Sequence, residues 1–387
     1  MHEIWGTAAL WIGLALIAAL LSIWFRIAAA LSEIVVGTVA QLILGALVGA
    51  SLGADAGWIK FLAGAGAIVL TFLAGTELDP VVFKAKLKEV SLIGCISFLA
   101  PFLGCAAAAY YLLDWTVQAS WLAGVALSTT SVAVVYAVML ELGLNATDFG
   151  KAVLAACFVT DLGTVLALGL IFAPFTCKTL IFVAGSAVVL YLLPKLTLWF
   201  FKKYGNRPSE LEARYLLFFL FGLGSLAVWS ESEAVLPAYI IGMVLAGTVG
   251  KDHVFIRRLR TLAFGFLTPF YFIRAGSYVS VQALSAAPLA LLVLFLAKIF
   301  TKVIGVYPAT LLCKYKQKEG IYTTLLMSTG LTFGTISALF GYSHNIIDQQ
   351  QYSILVFVVI ASAVAPTLIA NAFFIPRYLL PHNREQA

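Results

Sequence analysis

Histidine, cysteine and charge are all scarce in this chain of 387 residues, and each scarcity closes off a class of function. The four histidines, His2, His253, His344 and His382, fall outside every long apolar run, and there is no HExxH pattern, which removes the usual grounds for an intramembrane metalloenzyme. No enzyme activity and no resident cofactor are expected. The five cysteines, Cys95, Cys105, Cys157, Cys177 and Cys313, are scattered without a CxxC pair, so they read as free thiols rather than a redox or metal site. Charged residues make up only 11% of the chain, and no polar stretch is long enough for a soluble domain. Period-two alternation is absent as well, and the apolar runs are too long for barrel strands.

What fills the chain instead is apolar sequence, 62% of all residues, with a mean hydropathy of +1.01. A bilayer-spanning helix takes about 20 mostly apolar residues. Thirteen runs qualify, at 4–25, 33–52, 58–76, 90–112, 119–142, 150–173, 179–201, 213–230, 234–250, 261–280, 286–313, 319–342 and 352–375. Backbone groups in lipid must be satisfied within their own segment, so the expected fold is an all-α polytopic membrane protein. The first run lacks a basic leader and a small-residue cleavage site, and it reads as a retained helix.

The charge pattern orients these spans. Arg26, Lys84, Lys86, Lys88, Lys151, Lys202, Lys203, Arg207, Arg214, Lys251, Arg257, Arg258, Arg260, Lys314, Lys316, Lys318, Arg377 and Arg384 fall in the odd-numbered connections and the C-terminal tail, against only Lys60 and Lys178 in the even ones. Lys and Arg accumulate in cytoplasmic loops, which puts the N-terminus outside and the C-terminus inside. The formal charge of +6 then reflects orientation, not a nucleic-acid partner.

A weak internal repeat runs through the chain. Leu127-Ser-Thr-Thr-Ser-Val-Ala matches Met327-Ser-Thr-Gly-Leu-Thr-Phe at a shift of 200 residues, and Asn145 and Asp148 then meet Asn345 and Asp348. Phe72-Leu-Ala-Gly-Thr resembles Ile273-Arg-Ala-Gly-Ser, and Leu42-Ile-Leu-Gly-Ala resembles Tyr239-Ile-Ile-Gly-Met. Partners lie seven spans apart, an odd number, so the halves cross the membrane in opposite senses. The expected organisation is a first inverted repeat at 1–173, a linker helix and loop at 174–212, a second repeat at 213–376 and a short tail at 377–387. Inverted repeats of this kind belong to secondary transporters that work by alternating access.

One acidic residue stands apart from the other 17. Asp161 lies mid-span, where a carboxylate is costly and marks a proton or cation pathway by default; a structural acid in a buried network is the alternative. Burial favours its protonated form and a nearby cation its ionised form, so one carboxylate can hold H⁺ or a metal ion in competition. Span 5 carries Ser128-Thr129-Thr130-Ser131 at its middle, and the repeat-equivalent segment carries Ser328-Thr329-Gly330-Leu331-Thr332. Such segments suit either an unwound helix crossing, whose oxygens face an ion, or close helix packing with back-bonded hydroxyls. The candidate ion and proton ligands are Asp161, Thr160, Thr129, Thr130 and Ser131, with Asp161 and Thr129 foremost for a transported Na⁺ or K⁺. Arg274, Lys298 and Lys302 lie inside spans. Arg274 is expected to balance charge at Asp161, with bonding to carbonyls of a broken helix as the alternative, Lys298 to pair or snorkel, and Lys302 to snorkel toward the cytoplasm. Glu33, Glu77, Asp79 and Glu141 stand at expected cytoplasmic span ends, as a cation-attracting funnel or as helix-end charges paired with lysines, and His253 reads as a solvated side chain.

Phe72-Leu-Ala-Gly-Thr-Glu-Leu-Asp-Pro80, Leu127-Ser-Thr-Thr-Ser-Val-Ala-Val134, Phe158-Val-Thr-Asp-Leu-Gly163 and Pro269-Phe-Tyr-Phe-Ile-Arg-Ala-Gly276, in this order and spacing, resemble the second monovalent cation:proton antiporter family, which includes bacterial Na⁺/H⁺ antiporters and Kef-type K⁺ systems. The resemblance covers nearly the whole chain. It implies about thirteen helices, crossed discontinuous helices in a core domain, homodimers, Asp161 as the ion- and proton-binding carboxylate, and Thr129 and Thr130 lining the crossing. Electrogenic relatives place Asp before that carboxylate, electroneutral relatives of the sister family Asn, and Kef-type systems Gln; here Thr160 stands there. With one titratable acid left, the expectation is electroneutral exchange of a monovalent cation, Na⁺ favoured, for H⁺. The nucleotide-binding region of Kef-type systems is not found in the sequence, which weakens K⁺ efflux as the alternative; a Na⁺-coupled organic-anion symporter on a related fold is the other.

Overall fold

Our computed structural model of the chain describes residues 2–25, 27–48, 51–172, 176–205, 209–230, 232 and 234–380. Arg26, Arg207, Arg384 and the side chains of Glu141, Lys251 and His253 lie outside the described residues. All regular structure among the described residues is helical: α1 (His2–Phe25), α2 (Ala29–Val48), α3 (Gly57–Thr76), α4 (Pro80–Ala85), α5 (Leu87–Leu113), α6 (Val117–Ser128), α7 (Val132–Glu141), α8 (Asp148–Phe172), α9 (Cys177–Tyr204), α10 (Leu211–Trp229), α11 (Val235–Leu245), α12 (His253–Leu262), α13 (Thr268–Ser277), α14 (Val281–Ala286), α15 (Pro288–Leu312), α16 (Gln317–Met327), α17 (Thr332–Ser343) and α18 (Gln349–Ile369).

Among the described residues, 11 segments are long and apolar enough to cross a membrane, counting α6 with α7 and α16 with α17 as one span each. Each of the thirteen expected runs coincides with a helix or a helix pair. Two fall short of a full apolar span. α11 is a shorter apolar helix that stops at Leu245, before the turn around Gly247, and the run 261–280 begins inside the strongly amphipathic α12. π-helical segments join α12 to α13 (Ala263–Leu267) and extend α18 (Ala370–Phe374). The protein is an integral membrane protein.

The chain forms two compact units. One comprises Met1–Trp24, Ser32–Pro80 and Val165–Ser277. Its core is built on α3, which packs against α10, α11, α13 and the first π segment. Glycine sets the closest approach: a Cβ on Gly75 would strike the Tyr239 carbonyl and the Gly242 backbone, and one on Gly276 would strike the Ile34 carbonyl. Gly75 and Gly276 are the glycines matched by the internal repeat, so α3 lies on α11 as α13 lies on α2. At the ends of these helices Glu77 pairs with Arg260 at 2.6 Å. Glu77 thus takes an arginine partner, while Glu33 is buried within α2.

The other unit comprises Phe25–Leu31, Val81–Thr164 and Tyr278–Ala387. In it α5 packs on α6 and α15, α17 on α6 and α18, and α15 on α16 and α18. Thr147 accepts from Gly150 N at the start of α8, and Asp348 accepts from Gln351 N at the start of α18, each side chain meeting an N–H that the helix itself leaves unbonded. This unit carries both broken helices and Asp161.

Candidate functional site

The break between α6 and α7 follows from its hydroxyls. Ser128 Oγ donates to Val125 O at 2.8 Å and Thr129 Oγ1 to Ala126 O at 3.2 Å, so side chains take up carbonyls at the end of the helix. Thr129 is extended (φ −60°, ψ 153°), and Ser131 restarts the helix as its N-cap, accepting from Val134 N. The same chemistry recurs 200 residues on, where Ser328 donates to Thr324 O and Thr329 to Leu326 O. There Leu331 stands at the N-cap and supplies no side-chain cap.

The two breaks touch. Ser131 N donates to Thr329 O at 3.1 Å, and Thr130 Oγ1 donates to Met327 O at 2.8 Å. Gly334 lets α17 reach α6, since a Cβ there would come within 2.9 Å of Ala126 O and 3.1 Å of Thr129 Oγ1. These are crossed discontinuous helices.

Asp161 sits beside this crossing. It is 1% exposed, its Oδ1 has no hydrogen-bond partner, and the backbone N–H of Thr130 faces its carboxylate. Asp161 lies on α8, which holds to α5 through Thr160: the Thr160 hydroxyl reaches Gly94 O and Ala156 O at 3.2 and 3.1 Å. Gly163 presses on the Phe98 ring from the same helix face, where a Cβ would collide.

The cation beside Asp161 is Lys302, and its placement corrects the expectation that it snorkels. The side chain is fully buried, and its ammonium donates to Ser97 Oγ (2.8 Å), Ser128 O (2.9 Å) and Thr130 Oγ1 (3.1 Å). An ammonium has three donors, and all three are used. It therefore acts on Asp161 through its field rather than by a direct hydrogen bond. It also occupies the C-terminal end of α6, where the helix dipole favours a cation. Arg274, expected to balance Asp161, is placed in the other unit, where its Nε donates to Ala54 O at 3.0 Å. Lys298 does not snorkel either. It is fully buried one turn from Lys302, its ammonium has no acceptor, and a Cβ on Gly330 would collide with it.

Of the residues singled out from sequence, the structure gathers Asp161, Thr129, Thr130, Ser131 and Lys298 in one unit with Lys302. The hydroxyls are largely committed: Thr130 bridges Lys302 and Met327, Ser131 caps α7, and Thr160 holds helices together. The Asp161 carboxylate is what remains with an open oxygen. Ser97 and the Met327 carbonyl escaped sequence reasoning; a lone serine in an apolar run gives no sign that a lysine 205 positions away will reach it.

Comparison with known proteins agrees with this architecture. A family described as "Sodium/hydrogen exchanger, transmembrane" matches residues 12–374. A probable Na⁺/H⁺ antiporter of Methanocaldococcus jannaschii is 24% identical over 331 residues, covering 81% of this chain and 84% of that protein. A Na⁺/H⁺ antiporter of Enterococcus hirae is 25% identical over 359 residues, covering 87% and 91%. Among solved structures, that of the sodium proton antiporter MjNhaP1 from M. jannaschii at pH 8 superposes with a TM-score of 0.75 at 16% identity, over 96% of this chain and 97% of that one. With the match covering nearly the whole length and the fold in agreement, the chain belongs to the transmembrane sodium/hydrogen exchanger family.

Proposed function

We propose that the protein exchanges a monovalent cation, Na⁺ favoured, for H⁺ by alternating access, with cation and proton competing for Asp161. The observation that carries this reading is a fully buried carboxylate with an unpartnered oxygen, set against two broken helices that bond to each other. A buried carboxylate is costly unless it is neutralised, so it holds either a proton or a cation. Thr129, whose hydroxyl oxygen keeps free lone pairs after donating to Ala126 O, is the candidate to complete the cation's coordination; the hydroxyls of Thr130, Ser131 and Thr160 support the crossing.

Lys302 has every donor satisfied and is held as a fixed positive charge through the cycle. One carboxylate then carries one proton against one monovalent cation, and the exchange is electroneutral. The unit that contains the crossing is the moving core, and a homodimer in the cytoplasmic membrane, N-terminus outside, is the working assembly. The inverted repeats run over 1–173 and 213–376 about a linker at 174–212.

The test is proton flux in proteoliposomes carrying a pH dye, with Na⁺, K⁺ or Li⁺ added while the voltage is clamped. Flux that follows one cation and ignores voltage supports the reading and names the ion. Flux that K⁺ drives and Na⁺ does not favours the Kef-like alternative. No cation-driven flux in liposomes of verified orientation overturns antiport.

A further inference from the structure

One sulfur atom lies a helical turn from Asp161 and a second sulfur touches the first, and the exchange reading uses neither. Cys157 is four residues before Asp161 on α8, and residues at that spacing share a helix face. Its Sγ lies 3.5 Å from the Sδ of Met327, and both side chains are fully buried. Met327 is the last residue of α16 before the second break, and its carbonyl holds Thr130. The Asp161 carboxylate is close enough to interact electrostatically with the Cys157 sulfur, and its Oδ1 is unpartnered. A thiol, a thioether and an open carboxylate oxygen therefore lie together.

We propose that Cys157 and Met327 form a site for a soft monovalent metal ion such as Ag⁺ or Cu⁺, which blocks transport when filled. Thiolate and thioether sulfur select soft monovalent metals, whereas hard Na⁺ and K⁺ have no preference for sulfur and pass it by. The step balances without redox chemistry. The Cys157 S–H bond breaks, an S–Ag bond forms, and the proton leaves to water or to the Asp161 carboxylate, while Met327 Sδ donates a lone pair. To enter, the ion must separate sulfurs that are now in contact, and the three rotatable bonds of methionine allow this. A metal ion lodged there sits beside the carboxylate and pins the end of α16 to α8. The proposal rests on the exchange reading in one respect: Ag⁺, intermediate in size between Na⁺ and K⁺, enters by the route those ions would take to Asp161.

The experiment uses the full chain in chloride-free nitrate buffer, so that Ag⁺ stays in solution, with two readouts. Ag⁺ bound per purified chain is counted by mass spectrometry, and cation-driven proton flux is measured with and without Ag⁺. Wild type should bind one Ag⁺ more than Cys157→Ser and lose its flux, while Cys157→Ser keeps its flux in Ag⁺. Met327→Leu, which leaves the thiol in place, should need about tenfold more Ag⁺ for the same inhibition. Preincubation with the transported cation should slow the block. Equal Ag⁺ counts in wild type and Cys157→Ser, or equal inhibition of the two, overturns the site. If no chain shows flux even without Ag⁺ but the count still falls by one in Cys157→Ser, the site stands and the exchange reading fails.

Discussion

Replacing Lys302 by methionine keeps most of the side chain's apolar length and removes its ammonium. Three acceptors lose a donor at once: Ser97 Oγ, Ser128 O and Thr130 Oγ1, at 2.8, 2.9 and 3.1 Å. The losses are unequal. Thr130 keeps its own donation to Met327 O, and the Ser97 hydroxyl can rotate toward another acceptor. Ser128 O is left buried without a donor, at about 1–3 kcal/mol. Removing one partner of a buried charge pair costs about 3–5 kcal/mol when the other charge must remain, but a carboxylate can take up a proton instead, so the lower figure is the better guide. The melting temperature in detergent should fall by a few degrees. Transport should change as well, because Asp161 loses the field of its nearest cation and H⁺ becomes the stronger competitor. An attraction worth about 1.4 kcal/mol corresponds to roughly a tenfold loss of apparent cation affinity and a shift of about one pH unit toward alkaline in the activity profile. The assay is a cation titration of dye-reported proton flux at several pH values. An unchanged affinity and pH profile would refute the reasoning; a lower melting temperature with an unchanged profile would make Lys302 a structural strut only.

Three further substitutions probe the surrounding architecture. Gly334→Ala should gain about 1 kcal/mol of helix propensity but cost about 1–3 kcal/mol in overpacking, because Ala126 O at 2.9 Å is backbone and cannot yield; a melting temperature at or above wild type would contradict the close approach of α17 to α6. Ser131→Ala removes the cap of α7 and should destabilise the protein by about 1 kcal/mol; an unchanged melting temperature would contradict the capping role. Arg260→Ala breaks a partly exposed ion pair with Glu77, and its effect on stability should stay below about 1 kcal/mol and shrink further in high salt.

Much of the fold was legible because membrane helices announce themselves by apolar length, and the break at Thr129–Ser131 because consecutive hydroxyls divert backbone hydrogen bonds. The second break was legible both in Gly330 set among Ser328, Thr329 and Thr332 and in its repeat-equivalent position. What stayed hidden was partnership across helices. Lys302 lies toward one end of its run, where a long cationic side chain ordinarily reaches water, but here its stem turns inward to three oxygens contributed by α5 and the first break. Arg274, at the centre of its run, looked like the natural counter-charge, yet its Nε finds the Ala54 carbonyl. The early stop of α11 and the π-helical segments follow from packing and turns that hydropathy does not register. Asp161 stood out from the start because burial without neutralisation is costly, a constraint that belongs to the residue and its depth alone.

The central claim is that one carboxylate carries both ions, and Asp161→Asn tests it most directly. Asparagine preserves size and hydrogen-bonding capacity but can neither bind a proton in this range nor supply a negative charge. The variant, reconstituted at wild-type levels and with a wild-type melting curve, should show no cation-driven proton flux at any pH between about 5 and 9, a range wide enough to bracket a perturbed carboxylate. Residual flux that retains its dependence on cation and pH would contradict the account and move the exchange site elsewhere in the chain.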